Sequence, residues 1–359
     1  MADFDFLNPP VEFSELDSEL GKKWNAQCCP MFYDEGYVRL GSIKGVYARN
    51  YVRFYERIRD FQVYPDDIWV VSFPKCGTTW TQEMVWCIVN DLDFEGAKVG
   101  LQKRFPYFEL RANWSPSLTK LITQTVLEGS KSEDAPEGGN VEGGDTEDRN
   151  REFFLDSFNL VENLPRPRFV KCHLHYSLIP DALKNENSPK MIYVARNAKD
   201  ACTSFYHHSC LLDGYSGSLE DFVDAFTSDN VFCAPFWTHL REFWEVRDRK
   251  NVLFLKYEDM KKDLPSIIRQ TAEFVGKTLT EEQVKILENH LSFESMKNNP
   301  AVNYEDIVGN MRKMHGTAHN SKFMRKGKVG SWKDEMTPEM IAKLDAWIAE
   351  NKIEGLYES

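Results

Sequence analysis

Ser72-Phe73-Pro74-Lys75-Cys76-Gly77-Thr78-Thr79-Trp80 follows a short β-branched and aromatic run, Asp67 to Val71, and opens a helical pattern from Thr78 to Asn90. The stretch reads as a strand, a tight turn and a helix start. Gly77 lets the backbone turn where a Cβ would clash. Thr78 and Thr79 place hydroxyls and free N–H groups at a helix N-terminus, which favours an anion. Lys75 adds positive charge at the mouth of that turn. The chemistry suggested is the handling of phosphate or sulfate. The loop is not the nucleotide-binding GxxxxGK[ST], because its lysine precedes the glycine. For the loop taken alone, an ordinary strand–helix turn with an exposed lysine is the alternative.

Around this stretch lie other short apolar runs. Asp67–Phe73, Arg168–His173, Lys190–Ala195 and Asn251–Tyr257 are strand candidates, each followed by polar or helical sequence. Helical patterns occupy Asn50–Phe61, Thr78–Asn90, Pro116–Leu127, Asp200–Leu212, Leu219–Thr227, Pro235–Arg249, Lys261–Val275, Thr280–Leu291 and Pro338–Glu350. Near-continuous apolar strands separated by helices predict an α/β fold. The expectation is a single domain with a central, mostly parallel β-sheet flanked by helices and a P-loop-like strand–loop–helix. Residues 1–50 read as an irregular N-terminal lead-in packed on the domain, with short strand candidates such as Gly36 to Leu40, and 51–359 as the main domain. Glu128 to Asp148 holds eight acidic residues, five glycines and one lysine. It lacks the apolar surface to offset its ordering entropy, so a mobile loop at 128–148 is expected.

The chain of 359 residues is 42% hydrophobic, enough for a large core, and carries a net charge of −12. That charge argues against non-specific binding to nucleic acid, which needs a basic surface. The N-terminus is acidic without an apolar secretory segment, and no run approaches the roughly 18–20 apolar residues of a membrane span. The eight cysteines are scattered without a CxxC pair, as in a reduced, cytoplasmic protein.

Three further segments carry polar residues suited to a site. Arg168-Phe169-Val170-Lys171-Cys172-His173 is a strand ending in Lys and His. In open parallel sheets ligands bind beyond the carboxyl ends of the strands, where the loop at 74–80 also emerges. Imidazole is a natural base for a hydroxyl at neutral pH. Tyr193-Val194-Ala195-Arg196 is another strand end, with Ser204 two turns into the following helix. Arginine recognises phosphate through a planar fork of donors, with a salt bridge as the bland alternative. Phe323-Met324-Arg325-Lys326-Gly327-Lys328 is a basic loop able to wrap a phosphate.

Together these segments resemble the cytosolic sulfotransferases, which move a sulfuryl group from 3′-phosphoadenosine 5′-phosphosulfate (PAPS) to an alcohol, phenol or amine, leaving 3′-phosphoadenosine 5′-phosphate (PAP). The family's PKSGTTW loop corresponds to Pro74–Trp80 with Cys76 for Ser, its K-T-H strand end to Lys171-Cys172-His173, and its FMRKG loop to Phe323–Gly327. The resemblance implies His173 as general base, Lys75 on the bridging oxygen and Lys171 on the sulfuryl oxygens, with Ser204 restraining Lys75. It implies a 5′-phosphate held by Lys75, Cys76, Gly77, Thr78 and Thr79. A 3′-phosphate would be held by Arg196, Ser204, Arg325, Lys326 and Gly327. The adenine would lie between Trp80 and Phe293, near Tyr257, Leu291, Ser292 and Met296. Tyr107, Phe108, His173 and His208 would line the pocket of a small-molecule hydroxyl acceptor. No metal is implied.

Departures from the family pattern matter. Leu291 stands where a threonine is usual near the adenine, and His208 where a pocket phenylalanine is common. The dimer motif KxxxTVxxxE keeps Lys333 and Thr337 but has Pro338 and Ala342, so the family's homodimer is left open. The acidic loop falls in the region that covers the acceptor in relatives and is expected to gate it. Cys76, at a helix N-terminus beside Lys75, reads first as a small residue that merely fits, with a redox-sensitive thiol as the alternative. Three rival readings stand: a retinol-dehydratase-like elimination through a transient sulfate ester, a P-loop kinase or NTPase, and a non-catalytic nucleotide-binding module. The Lys-before-Gly order speaks against the second.

Overall fold

The computed structural model of the chain describes residues 9–120, 155–316 and 321–357. The acidic loop at 128–148, with its expected mobility and gating role, lies outside the described residues, as does most of Pro116–Leu127.

Strand β4 (Ile68–Val71) sits inside a parallel sheet with β5 (Phe169–Cys172), β6 (Lys190–Ala195) and β7 (Val252–Lys256), in the order β5-β4-β6-β7. All four β4 side chains are buried. Successive side chains of a strand point to opposite faces. Trp69 and Val71 accordingly join one core with Val170, Tyr193 and Phe205, whereas Ile68 and Val70 join a second with Met84, Ile192 and Leu253. Apolar cover on both faces is why these strands read as continuous hydrophobic runs.

The register aligns the strand ends. Val71 lies opposite Cys172 on one side and Tyr193 on the other, and Ala195 lies opposite Lys256. The residues that follow, Ser72, His173, Arg196 and Tyr257, therefore emerge at one edge. The chain leaves β4 toward β5 and then passes back over β4 to β6, so the crevice between β4 and β6 is the switch point at which such sheets bind ligands.

Helices α1 (Thr78–Val89), α2 (Ala198–His208), α3 (Glu305–His315) and α4 (Pro338–Glu350) matter most to the site. Asn197 caps α2 by accepting from the Asp200 N–H, and Thr337 caps α4 by accepting from Met340 N–H with Pro338 in the first turn. Three expectations change. The helix expected over Lys261–Val275 is two, Tyr257–Lys262 and Leu264–Val275, divided where Asp263 caps the second and Pro265 enters its first turn. Asp200–Leu212 is α-helical only to His208; Ser209–Asp213 continues as a π-turn.

The third change is the lead-in, which is more regular than expected. Strands β1 (Phe13–Glu15), β2 (Tyr37–Leu40) and β3 (Gly45–Ala48) form an antiparallel sheet, and Glu19–Gln27 is a helix capped by Ser18. Its aromatics Trp24, Tyr37 and Tyr47 are buried in the main core. No helix among the described residues is long and apolar enough to cross a membrane.

Candidate active site

The turn after β4 has the conformation its residues suggest. Lys75 and Gly77 both have positive φ, +67° and +111°. A Cβ on Gly77 would stand 2.9 Å from the Tyr257 ring, so close packing as well as φ selects glycine. Gly77 leads into α1, whose first turn carries Thr78 and Thr79. The Thr78 and Ser72 hydroxyls are 2.6 Å apart, tying the helix start to the strand end.

His173 is held at its backbone and at its ring. Its N–H donates to Glu109 Oε1 at 2.6 Å, and its Nδ1 lies 2.7 Å from the Ser72 carbonyl oxygen. A carbonyl only accepts, so Nδ1 carries the proton and a neutral ring keeps its lone pair on Nε2. Burial, reinforced by the Lys171 charge, pushes the imidazole pKa well below its ordinary value. Behind it His239 donates from Nε2 to the His173 carbonyl at 3.1 Å, with the Tyr193 hydroxyl 2.9 Å from Nδ1.

Positive charge converges on the same space. Burial and then the neighbouring Lys171, Arg196 and Arg325 charges lower the Lys75 pKa to about 7. Burial lowers Lys171 to about 8, with Glu109 opposing. The Lys75 ammonium lies 4.0 Å above the Phe323 ring and that of Lys171 4.5 Å above Tyr107. Arg196 donates from Nη1 to the Lys75 carbonyl at 3.1 Å and from Nη2 to that of Lys328 at 3.3 Å. Its Nε is buried with no hydrogen-bond partner. In the basic loop Arg325 pairs with Glu335, while Lys326 lies 2.9 Å from both Asp334 and Glu335.

The adenine-side candidates adjoin these groups. Trp80 donates from its indole N–H to the Leu291 carbonyl at 2.9 Å and meets Tyr257 edge-on at 5.7 Å. A Cβ on Gly327 would come within 2.2 Å of Phe293, so only glycine lets that loop lie against the ring.

Lys75, Gly77, Thr78, Thr79, Trp80, Tyr107, Lys171, His173, Arg196, Ser204, His208, Tyr257, Leu291, Phe293, Met296, Arg325, Lys326 and Gly327 all line one cavity of about 300 Å³. Three candidates do not. Phe108 packs against Phe61, Trp69 and Phe158 in the core rather than against an acceptor. Tyr107 pairs with Lys171 like a strand residue, so its neighbour must point the other way. Ser292 caps the helix Phe293–Asn298. Cys76 is fully buried in the main core, and burial pushes its thiol pKa up, which goes against the redox-sensitive alternative and leaves a small residue that fits.

Sequence reasoning missed Tyr33, Asn113, Trp114, Asp213, Phe232 and Met311 on the cavity wall. They come from separate segments with no shared motif; the π-turn that presents Asp213 has no local signature. Away from the cavity, Glu83, Cys87 and His290 bring three metal-ligand atom types within 4.8 Å of one another. Glu83 is already engaged by Arg104 and by His290, the latter at 2.6 Å.

The family model "Sulfotransferase domain" matches residues 65–355. The chain belongs to the sulfotransferase family. It is an enzyme of PAPS-dependent sulfation of small molecules. It is 40% identical to luciferin sulfotransferase of Photinus pyralis over 338 residues, covering 94% of this chain and 85% of that protein. Retinol dehydratase in complex with retinol and PAP superposes with a TM-score of 0.81 at 33% identity, covering 98% of this sulfotransferase and all of that chain. Its complex with androsterone and PAP matches with the same TM-score and identity, over 98% and 99% of the two chains.

Proposed function

We propose that this sulfotransferase transfers the sulfuryl group of PAPS to the hydroxyl of a small hydrophobic alcohol, phenol or steroid by in-line displacement, with His173 as general base. The observation that carries the reading is the state of His173: Nδ1–H is committed to the Ser72 carbonyl, which leaves Nε2 as the basic nitrogen, and the residue lines a cavity shared with Lys75 and Lys171. The residues also fit a nucleotide with anionic groups at both its 3′ and 5′ positions. Arg196 has an unpartnered buried Nε, the turn at Gly77 opens a helix N-terminus, and Gly327 leaves room against Phe293.

When bound, PAPS supplies a sulfuryl group on a phosphate leaving oxygen. His173 Nε2 takes the acceptor's hydroxyl proton as the new S–O bond forms. Lys75 opposes the charge gathering on the leaving oxygen and Lys171 that on the sulfuryl oxygens. Thr78 and Thr79 hold the 5′-phosphate, Arg196, Ser204, Arg325 and Lys326 the 3′-phosphate, and Trp80 and Phe293 the adenine. Tyr107 and His208 face the acceptor. Arg325 and Lys326 exchange part of their pairing with Glu335 and Asp334 for the phosphate.

A second outcome is supported by the likeness to retinol dehydratase at 33% identity. With an allylic alcohol, the sulfate ester would be transient and would lose sulfate to give net dehydration. Incubating wild type and His173→Ala with labelled PAPS and a panel of phenols, sterols and allylic alcohols separates these readings. A stable labelled ester, lost in the variant, supports transfer. Free labelled sulfate with an unsaturated product supports elimination. Tight PAP binding without turnover of any acceptor would defeat both.

A further inference from the structure

Among the described residues that line the cavity, every formally charged one is a lysine or arginine except Asp213. The anion chemistry above has no use for a carboxylate there. Its presence has a specific structural cause. Ser204 and His208 line the cavity at i and i+4 of α2, as one helical face requires. An α-helix would next present residue 211 or 212 on that line. Ser209–Asp213 instead winds as a π-turn, with Gly214 donating to the Ser209 carbonyl and standing at φ +65°. After Ser204 and His208 the wider turn brings Asp213 onto the wall as well as Leu212. π-turns within helices recur at functional sites because they re-aim side chains at a cost in backbone geometry.

The carboxylate is held in place. Tyr33 donates its hydroxyl to Asp213 Oδ1 at 3.0 Å, so the lead-in supplies part of this wall. Burial raises the Asp213 pKa to about 7, while Tyr33, Ser209 and the Lys75 charge favour the ionised form. A carboxylate has about four lone-pair sites, so it can accept further donors beyond Tyr33. Leu212, Phe232 and Met311 also face the cavity and make an apolar surround for it. His208 lies on the same wall, its Nδ1 buried without a partner.

We propose that Asp213 is a specificity-determining residue of the acceptor pocket, selecting acceptors that carry a second hydrogen-bond donor, a hydroxyl or a protonated amine, in addition to the hydroxyl that is sulfated. The proposal rests on the transferase reading of the same cavity. An acceptor with such a donor satisfies the carboxylate. One with a methyl group in that place leaves the buried carboxyl's remaining lone pairs facing apolar atoms, and sites built to bond a donor reject analogues lacking it.

The test compares three phenols of matched length: 4-propylphenol, tyrosol (a terminal hydroxyl) and tyramine (a terminal ammonium). Phenolic sulfation is measured as kcat/KM for wild type, Asp213→Asn and Asp213→Leu. Wild type is expected to prefer tyrosol or tyramine over 4-propylphenol by about tenfold or more, and the arm preferred identifies the donor. Asp213→Leu should erase the preference. Asp213→Asn, which keeps a carbonyl acceptor and the shape, should lose it chiefly for tyramine. Equal kcat/KM for all three phenols in wild type, or an unchanged preference in both variants, would overturn the proposal while leaving the transferase reading standing. Absence of any sulfated phenol from wild type, with PAP still bound, would overturn it together with the phenol reading.

Discussion

In the proposed transfer His173 serves as base because two neighbours decide its state: the Ser72 carbonyl fixes the proton on Nδ1, and burial beside Lys171 disfavours the charged ring. General-base catalysis contributes about 10²–10⁴ in rate. His173→Ala should therefore lower kcat by at least about 10²-fold with PAP affinity nearly unchanged, as calorimetry would report. The lysines predict a proton linkage of definite sign. Lys75 and Lys171 are lowered to about 7 and about 8 by burial, with like charges also acting on Lys75. A bound anion favours their charged forms and raises both values, so binding near pH 8 must take up protons. PAP affinity should fall as pH rises from about 7 to about 9, between the lowered and ordinary lysine values. Titration calorimetry at pH 8 in buffers of different ionisation enthalpy measures the uptake; zero or negative uptake would contradict it. At this scale the motif residues were legible in sequence because their types suit the chemistry. For Cys76 the sequence left a small fitted residue and an activated thiol both open, and burial that no local pattern reveals outweighs the helix-terminal position that favours a thiolate.

At the scale of elements, strand pairing explains why adjacent aromatics take different roles. Tyr107 lies opposite Lys171 and faces the cavity, whereas Phe108 turns into the core. Phe108→Ala should cost about 3–5 kcal/mol of stability, as large-to-small core changes do. Tyr107→Ala should cost far less in denaturant melts and instead raise the acceptor KM. Gly327 belongs to the same scale. Its φ is +59°, and a Cβ there would meet Phe293 at 2.2 Å, so Gly327→Ala should displace the ring. PAP affinity should drop by roughly tenfold, the equivalent of one displaced stacking contact of about 1–3 kcal/mol. An unchanged dissociation constant would show that Phe293 does not hold the adenine. Element boundaries were legible where capping and apolar runs agree: Leu219–Thr227, Lys190–Ala195 and Pro338–Glu350 stand where the sequence places them. The π-turn was not, since an extra residue in a helix leaves the side-chain types unchanged.

Across the whole molecule, the lead-in is part of the catalytic domain's core. Trp24, Tyr37 and Tyr47 are buried, and the Tyr47 hydroxyl lies 2.7 Å from His175 Nδ1, two residues beyond His173. Each such aromatic contributes about 1.5–3 kcal/mol on burial. Together they rival the roughly 5–15 kcal/mol total stability of a domain. Removing residues 1–50 should therefore yield a chain that fails to fold; a soluble, cooperative, active truncation would refute this. The main domain was legible because each β-strand buries both faces and so writes its position in the chain. The lead-in was less so, because its strands are three to four residues long and take their order from packing.

The sequence by itself determined the parallel α/β architecture, the strand–turn–helix at 72–80, the placing of His173 and Lys75 among the candidates, and the family. Those features are local: apolar runs, a glycine before a helix, and basic residues at strand ends. Only the tertiary structure decided the tautomer of His173, the lowered pKa of Lys75, the turning of Phe108 away from the cavity, the burial of Cys76 and the arrival of Asp213 and Tyr33 on the cavity wall. Each of these depends on desolvation or on contacts between segments far apart in the chain, and neither quantity is encoded at any single position.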